Sequence, residues 1–374
     1  MKRYILISLL LFSIASVFSA DYTKIDKQAL SVPKNLKTVD QIASSLTRGL
    51  TSPVDKSRAI YFWISHNIKY DLNLLSSKKE YTNTSEILDE VLSSRQGVCQ
   101  HYAELFHAIC QASGVKSYVI TGYTRQNEEI DKISHAWNAV LIDSKYYCID
   151  ATWASGHMEN GKYRNEFDDR FFLISPDEFI KTHMPFDPIW QFSDNPLSHK
   201  EFDKADFSNL KKTSDFNYAD SIKVHMSLDP LEKINRENRR IRQSGLTNPL
   251  IRNLVSFNQQ SLISQKFNTA VGLFNKGVAD YNEYILAKNK QFNATTMKDE
   301  DILGMLLAAR LKVESADESI SRLNPDQSDL TKTIRDLRNS ISEVKKNLDK
   351  EDAFVKKYIK TWKAFRMLLF YSVK

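Results

Sequence analysis

Apolar positions in the N-terminal half follow two different rhythms. Ala59, Ile60, Trp63 and Ile64 fall on one side of a helix, a stripe that predicts a core-facing segment. Ser52-Pro53-x-Asp55 marks its start, with Pro at the first helical position, and Thr38-x-x-Gln41 marks an earlier helix. Ile87, Leu88, Val91 and Leu92 predict a short helix that breaks at Arg95-Gln96-Gly97. The next helix opens at Cys99 and closes at Ser113-Gly114, where glycine can take the left-handed closing conformation. Strand-like runs then follow at 115–124, 135–142 and 146–153, the last two flanking Asp143-Ser144-Lys145 as a hairpin. "RFFLIS" (170–175) reads as a further strand, and Ser175-Pro176-Asp177-Glu178 as a capping box that opens one more helix. Helices followed by an antiparallel sheet predict an α+β domain over residues 21–199.

From 200 to 247 the chain is charged and poor in long apolar runs, the pattern of a connecting segment. Beyond it, 256–290 and 299–323 carry long helical patterns separated by the polar "QFNATTMK", and Asn324-Pro325 ends the second. Leu330, Ile334, Leu337, Ile341, Val344 and Leu348 are spaced 4, 3, 4, 3, 4 along a third. So short a heptad run fits a small helical bundle, so 248–374 is expected to be an all-α, three-helix accessory domain. It serves either packing or the capture of a protein partner.

The first 20 residues stand apart from both rhythms. "MKRYILISLLLFSIASVFSA" joins a basic start, an apolar run from Ile5 to about Leu11 and small residues near position 20, the signature of a cleavable signal peptide. Cleavage is expected after Ser19 or Ala20, and no cysteine follows closely, which points away from a lipoprotein. No other segment is apolar and uninterrupted enough to cross a bilayer, so export to the periplasm or the extracellular space is expected, with no stable membrane insertion after cleavage. The remaining chain of about 350 residues suits two domains. The net charge of +6 is mild, with basic and acidic residues interspersed, and does not imply a nucleic-acid partner. Three cysteines, Cys99, Cys110 and Cys148, are too few for a disulfide scaffold and lack metal-binding spacings, so neither a zinc site nor another cofactor is expected.

Cys99 has the position that chemistry would choose. A thiol is a poor nucleophile until it ionises, and free N–H groups at a helix start stabilise a thiolate. Gly97 lets the backbone turn into that start. A cysteine is also a small apolar residue that often simply fills a core. A thiolate nucleophile usually pairs with an imidazole, which a carboxylate orients. His135 opens one strand and Asp150 lies on the next. A two-residue turn at Ser144-Lys145 sets Asp150 opposite Ala139, on the sheet face of His135 but four residues along from it. At roughly 3.3 Å per residue that offset needs a bulge or a bend to close.

Gly97-Val98-Cys99 with Tyr102-Ala103, then His135-Ala136-Trp137-Asn138, then Asp150-Ala151-Thr152-Trp153 resemble the three motifs of the transglutaminase-like superfamily, in order and approximate spacing. The resemblance spans roughly 40–190 and takes in "YFWISHNIKYD" (61–71). "PFDPIWQF" (185–192) is more similar to the bacterial and kyphoscoliosis-peptidase branch than to animal cross-linking enzymes. The resemblance implies a papain-like α+β core with Cys99 as nucleophile, His135 as general acid and base, and Asp150 as the orienting carboxylate. It implies attack on a peptide or protein amide through a thioester acyl-enzyme. Without an EF-hand-like calcium loop or β-sandwich domains, hydrolysis is the expected outcome, with amine-dependent cross-linking or a non-catalytic scaffold as alternatives.

Gln100, Trp137 and Trp153 are candidate substrate contacts, the tryptophans as groove walls or as core. His101 and His107 are expected to be solvated or to lie at the core edge. Cys110 shares a helix face with Cys99 about 16 Å away at 1.5 Å per residue. It can bridge to Cys148, although reduced core thiols are the expectation. Asn83-Thr84-Ser85 and Asn293-Ala294-Thr295 match the glycosylation sequon, with coincidence the default.

Overall fold

The computed structural model describes residues 21–77, 79–212, 216–292, 297–323 and 330–371. The leader, the sequon at Asn293 and the Asn324-Pro325 break lie outside the described residues. The chain divides into two compact units, Met1–His225 and Met226–Lys374.

In the first unit, α1 (Thr23–Leu30), α2 (Val39–Leu46) and α3 (Pro53–Asn67) precede the sheet. Thr38 and Ser52 cap α2 and α3 as the sequence predicts, their side chains accepting from Gln41 N–H and from Val54 and Asp55 N–H. The one-sided stripe read on α3 understates its burial. Every side chain from Ser57 to Ser65 is buried, because α1, α2 and the later helices Cys99–Ala112 and Ala151–Ser155 pack around it. Arg58 stays charged inside this core. Its guanidinium donates to both oxygens of Asp26 (2.8 Å each), pairs with Asp169 and stands over the rings of Tyr22, Phe62 and Phe172.

A two-residue strand β1 (Lys69–Tyr70) and helices α4 (Leu72–Ser76) and α5 (Thr84–Ser94) come next. Asn83, of the first sequon, caps α5, and Arg95 ends it in the left-handed conformation. β2 (Gln96–Gly97) pairs parallel to β1 and leads directly into α6 (Cys99–Ala112). The strands β3 (Ser117–Gln126), β4 (Glu129–Ile142) and β5 (Lys145–Ile149) form antiparallel hairpins. Their two-residue turns, Asn127-Glu128 and Asp143-Ser144, have positive φ at both positions, the geometry that matches strand twist. After them come α7 (Ala151–Ser155), the small hairpin β6 (His157–Glu159) and β7 (Lys162–Arg164), α8 (Pro176–Phe179) and β8 (His183–Pro185). The main sheet has the order β5-β4-β3-β8. This is the α+β arrangement that the sequence predicts.

Two local expectations fail. "RFFLIS" forms a 3-10 turn at Asp169–Phe171, capped by Asp168, and Leu173 takes a positive φ of 50°. That left-handed residue interrupts the extended run, and Ile174 alone bridges to Cys148. Ser175 makes no side-chain cap, and Glu178 pairs with Lys181 instead of reaching back, so α8 has only one turn.

The stretch read as a connector is itself helical, with α9 (His199–Asp203), α10 (Tyr218–Ser227) and α11 (Pro230–Ser244), and the division between the units falls inside α10. The second unit continues with three long helices, α12 (Pro249–Asn289), α13 (Asp299–Ser321) and α14 (Thr331–Lys360), and ends on the short α15 (Leu368–Tyr371). Ile302, Leu306, Ala309, Val313, Ala316 and Ile320 bury one face of α13. Ile334, Ile341 and Leu348 of the predicted heptad are buried on α14, with Leu330, Leu337 and Val344 packed partly buried beside them. Gly277 marks a close helix approach, since a Cβ there would lie 2.7 Å from the Val313 side chain.

Candidate active site

The start of α6 is built by a residue that no motif marks. His101, fully buried in the first turn, accepts at Nδ1 from the backbone N–H of Val98 (3.4 Å), taking the place that Glu or Gln fills in a capping box. Its Nε2 lies 3.0 Å from the Tyr81 hydroxyl, which also donates to Glu90 (2.6 Å). Burial holds the His101 imidazole below its ordinary pKa. It is therefore a core residue and not a solvated one. Gly97 serves this turn by its missing side chain, because a Cβ would lie 2.4 Å from that of His101. Cys99, half-buried, then opens the helix. Asn138 on β4 locks α6 to the sheet, its amide donating to the carbonyls of Ala103 (3.0 Å) and Tyr118 (3.2 Å).

The sheet register differs from the sequence expectation in a way that closes the gap there. The turn is Asp143-Ser144, not Ser144-Lys145, and Asn138 pairs with Ile149. Continued by one pair, that ladder sets Asp150 across from Trp137, two residues from His135 instead of four. Asp150 also leaves the strand, which ends at Ile149, and becomes the N-cap of α7. Its Oδ1 accepts from the backbone N–H groups of Thr152 (2.8 Å) and Trp153 (3.0 Å), which frees Oδ2 for His135 Nε2 at 2.7 Å. Cys99 acts on the same imidazole, and its influence adds to that of Asp150 in raising the His135 pKa. With Nε2 engaged by Asp150, Nδ1 is the ring nitrogen left for the sulfur.

A second histidine, which sequence reasoning missed, completes the group. His183 on β8 brings Nε2 within 3.2 Å of the same Asp150 oxygen, and its Nδ1 lies 2.8 Å from the Thr182 hydroxyl. It stacks on Phe179 with ring centroids 3.9 Å apart. β8 reaches this position through Gly122 on β3, where a Cβ would collide with the Met184 carbonyl. The two imidazoles have opposite electrostatics. Burial disfavours a charge on His135, but the Asp150 carboxylate and the contact with Cys99 outweigh it and raise its pKa. Burial dominates at His183 and lowers its pKa to about 4. Burial also works against ionised Asp150, and the two histidines overcome it and hold the carboxyl well below the usual range. His135, Asp150 and His183 present ligand-type atoms within 4.8 Å of one another. Each of those atoms is committed to a hydrogen bond inside the group, which makes it a proton-holding network.

The three sequence-predicted substrate contacts separate. Trp137 is only 1% exposed, wedged beside Gly122, His183 and Phe179, so it is core and not a groove wall. Trp153 is half-buried against His135 and His183, and Gln100 is exposed beside Cys99. Tyr70 on β1 is a further neighbour of the site. Burial first, then the charge of Cys99, disfavours its ionisation, and its ring stacks on Tyr163. His107 is half-buried with Nδ1 2.9 Å from the Ser117 hydroxyl, and Cys110 and Cys148 are buried free thiols.

Residues 40–151 match the family model described as Transglutaminase-like superfamily, a span that includes Cys99, His135 and Asp150 but not His183. Kyphoscoliosis peptidase of Homo sapiens is 26% identical over 205 residues, which cover 53% of this chain and 30% of that protein. Cytokinesis protein 3 of Schizosaccharomyces pombe is 30% identical over 191 residues, covering 48% and 21%. The chain thus spans less than a third of the length of these curated relatives. Among solved structures, the periplasmic domain of TgpA from Pseudomonas aeruginosa aligns at 20% identity with a TM-score of 0.26, covering 36% of this chain and 49% of that one.

Proposed function

Because residues 40–151 belong to the transglutaminase-like superfamily, we propose that this chain is an exported cysteine hydrolase that cleaves peptide or protein amides. The observation that carries the reading is the 2.7 Å bond from the His135 ring to Asp150, on an imidazole whose pKa Asp150 and Cys99 together raise. Asp150 is anchored by two backbone N–H groups, so it fixes the imidazole in one tautomer and favours the imidazolium. His135 takes the thiol proton, and the Cys99 thiolate attacks the amide carbonyl. The backbone N–H of Cys99, at the start of α6, donates to the developing oxyanion. His135 then protonates the departing amine, which leaves a thioester. It next deprotonates water, whose attack releases the acid and restores the thiol. The peptidase name of a relative supports water as the acceptor. The leader-like residues 1–20 support export.

Iodoacetamide labelling across pH 4–9, read by mass spectrometry at each cysteine, tests the pair. Cys99 is expected to react alone in mildly acid solution and to lose that reactivity in His135→Ala. Equal, slow labelling of Cys99 in both proteins would remove the basis of the proposal. With Cys99 reactive, incorporation of a dansyl amine into a protein substrate in place of hydrolysis would reassign the acceptor and make the enzyme a cross-linker.

A further inference from the structure

The segment that follows α14 is built unlike the rest of the helical unit. Between Lys356 and Tyr371 there is no acidic residue, and Lys356, Lys357, Lys360 and Lys363 are all exposed. Every third position there points a large side chain into solvent: Trp362 at 74% exposure, Phe365 at 53%, Leu368 at 61% and Tyr371 at 72%. Side chains three apart eclipse in a 3-10 turn and remain neighbours in an α-turn, so the four form one ridge over the 3-10 turn Lys363–Phe365 and α15.

The ridge is held outward by a well-made inner face. Arg366 is buried between it and α13, donating to both oxygens of Asp299 (2.5 and 2.9 Å) and to the carbonyls of Ile359 and Thr361 (3.1 Å each). Its guanidinium also stands 4.7 Å over the Tyr358 ring. Phe370 packs on Phe292, Phe354 and Tyr358. The outward aromatics are therefore fixed in place, and no described residue of their own unit covers them.

We propose that this ridge docks the chain on an anionic lipid surface. Trp and Tyr suit the boundary of a bilayer, with an apolar body toward the acyl chains and a polar edge among the headgroups. Lysines beside them lay their stems along the apolar zone and hold the ammonium at lipid phosphates. A protein groove would have to strip water from four lysines next to four apolar side chains, whereas a headgroup layer leaves the ammonium groups hydrated. The segment lies on the membrane and does not cross it, since no described helix is long and apolar enough to span one.

The test uses the full chain with vesicles of phosphatidylcholine, alone or mixed with phosphatidylglycerol. Trp362 is the exposed one of five tryptophans, so quenching by brominated lipid reports on the ridge itself. The expected result is binding that needs phosphatidylglycerol, weakens with salt and brings quenching of Trp362. The double variant Trp362→Ala/Phe365→Ala is expected to weaken it about ten-fold. A Lys357→Glu/Lys360→Glu variant is expected to lose the dependence on anionic lipid. The apolar run at residues 5–11 also meets lipid, so each variant is compared with the parent chain, and an unchanged melting temperature shows that it folds. Vesicle binding equal in parent and variants overturns the proposal. So does loss of self-association in the aromatic variant with vesicle binding intact, which would assign the ridge to a second copy.

Discussion

The two units differ in which ionisable groups they bury. All eight histidines lie between His66 and His225, and none lies in Met226–Lys374. The first unit folds around ionisable groups: Arg58 with its two aspartates, Asp150 with two imidazoles, and His199 between the Tyr123 hydroxyl and the Phe186 carbonyl. The second has a mostly aliphatic and aromatic interior: it buries Arg366 against Asp299 near its C-terminal end and places other pairs, such as Arg310 with Asp349 and Asp352, at the rim. A core of ionisable groups holds reactive side chains in fixed protonation states, and it ties stability to pH. An aliphatic core gives stability that is indifferent to pH.

The largest effect that would expose this contrast is expected from Asp150→Ala. It leaves two buried imidazoles without their acceptor and uncaps α7, and removing one member of a buried ionic group costs roughly 3–5 kcal/mol. Hydrogen exchange resolved along the chain should show the loss in the first unit alone. The counterpart in the second unit is Ile341→Ala, which empties a fully buried position on α14 at a cost of about 2–5 kcal/mol. Exchange should accelerate between 249 and 360 while alkylation of Cys99 is unchanged; altered Cys99 reactivity would show that the two cores are not energetically separate.

The pH dependence sharpens the contrast further. His183 and His199, each lowered by burial to about 4, are neutral in the folded state where the unfolded chain binds a proton at about 6.5. As pH falls from about 6.5 to 4, the unfolded state takes up the extra protons and the first unit loses stability. His135 has the opposite sign. Its raised pKa contributes stability that is present below about 6.5 and is lost as pH rises through the folded value. The first unit should therefore be most stable near neutrality, and the histidine-free second unit should be flat from pH 6 to 9. His183→Gln retains an amide donor toward Asp150 and should reduce the acid slope; an unchanged slope in denaturant titrations at pH 4.5 and 6.5 would remove His183 from this account. The smallest effect is expected from Arg310→Ala. Its partly exposed pairs should contribute no more than about 1 kcal/mol, measurable as a small shift in denaturant midpoint.

These physical differences also decide what could be read from the sequence. The three long helices of the second unit follow from periodicity because one face of each is buried, whereas the strongly charged α11 reads as a connector. The same logic undercounts α3, which carries Arg58 and two serines inside a helix that is buried all round. Cys99, His135 and Asp150 carry motif residues, and a one-residue difference in the turn was enough to misplace Asp150 along the ladder. His183 sits on a three-residue edge strand that is too short to show alternation, and it binds through a side chain 33 residues distant. The nearby "PFDPIWQF" was the single signal in its neighbourhood. Trp137 could be read as groove wall or as core, and what decides for core is space left by a glycine on another strand.

The Asp143-Ser144 turn has a consequence for changes in chain length. Asp150 reaches its place by counting from that turn, with five residues of β5 as the intervening measure. A residue inserted at the tip can be taken up as a longer loop and leave the paired strands alone. A residue inserted in β5 after Ile149 moves the carboxylate away from the histidines, and one deleted from β5 turns alternate side chains toward the wrong layer. The hairpin tip should therefore accept peptide tags, while the stretch between Lys145 and Asp150 should tolerate substitution far better than any change in length.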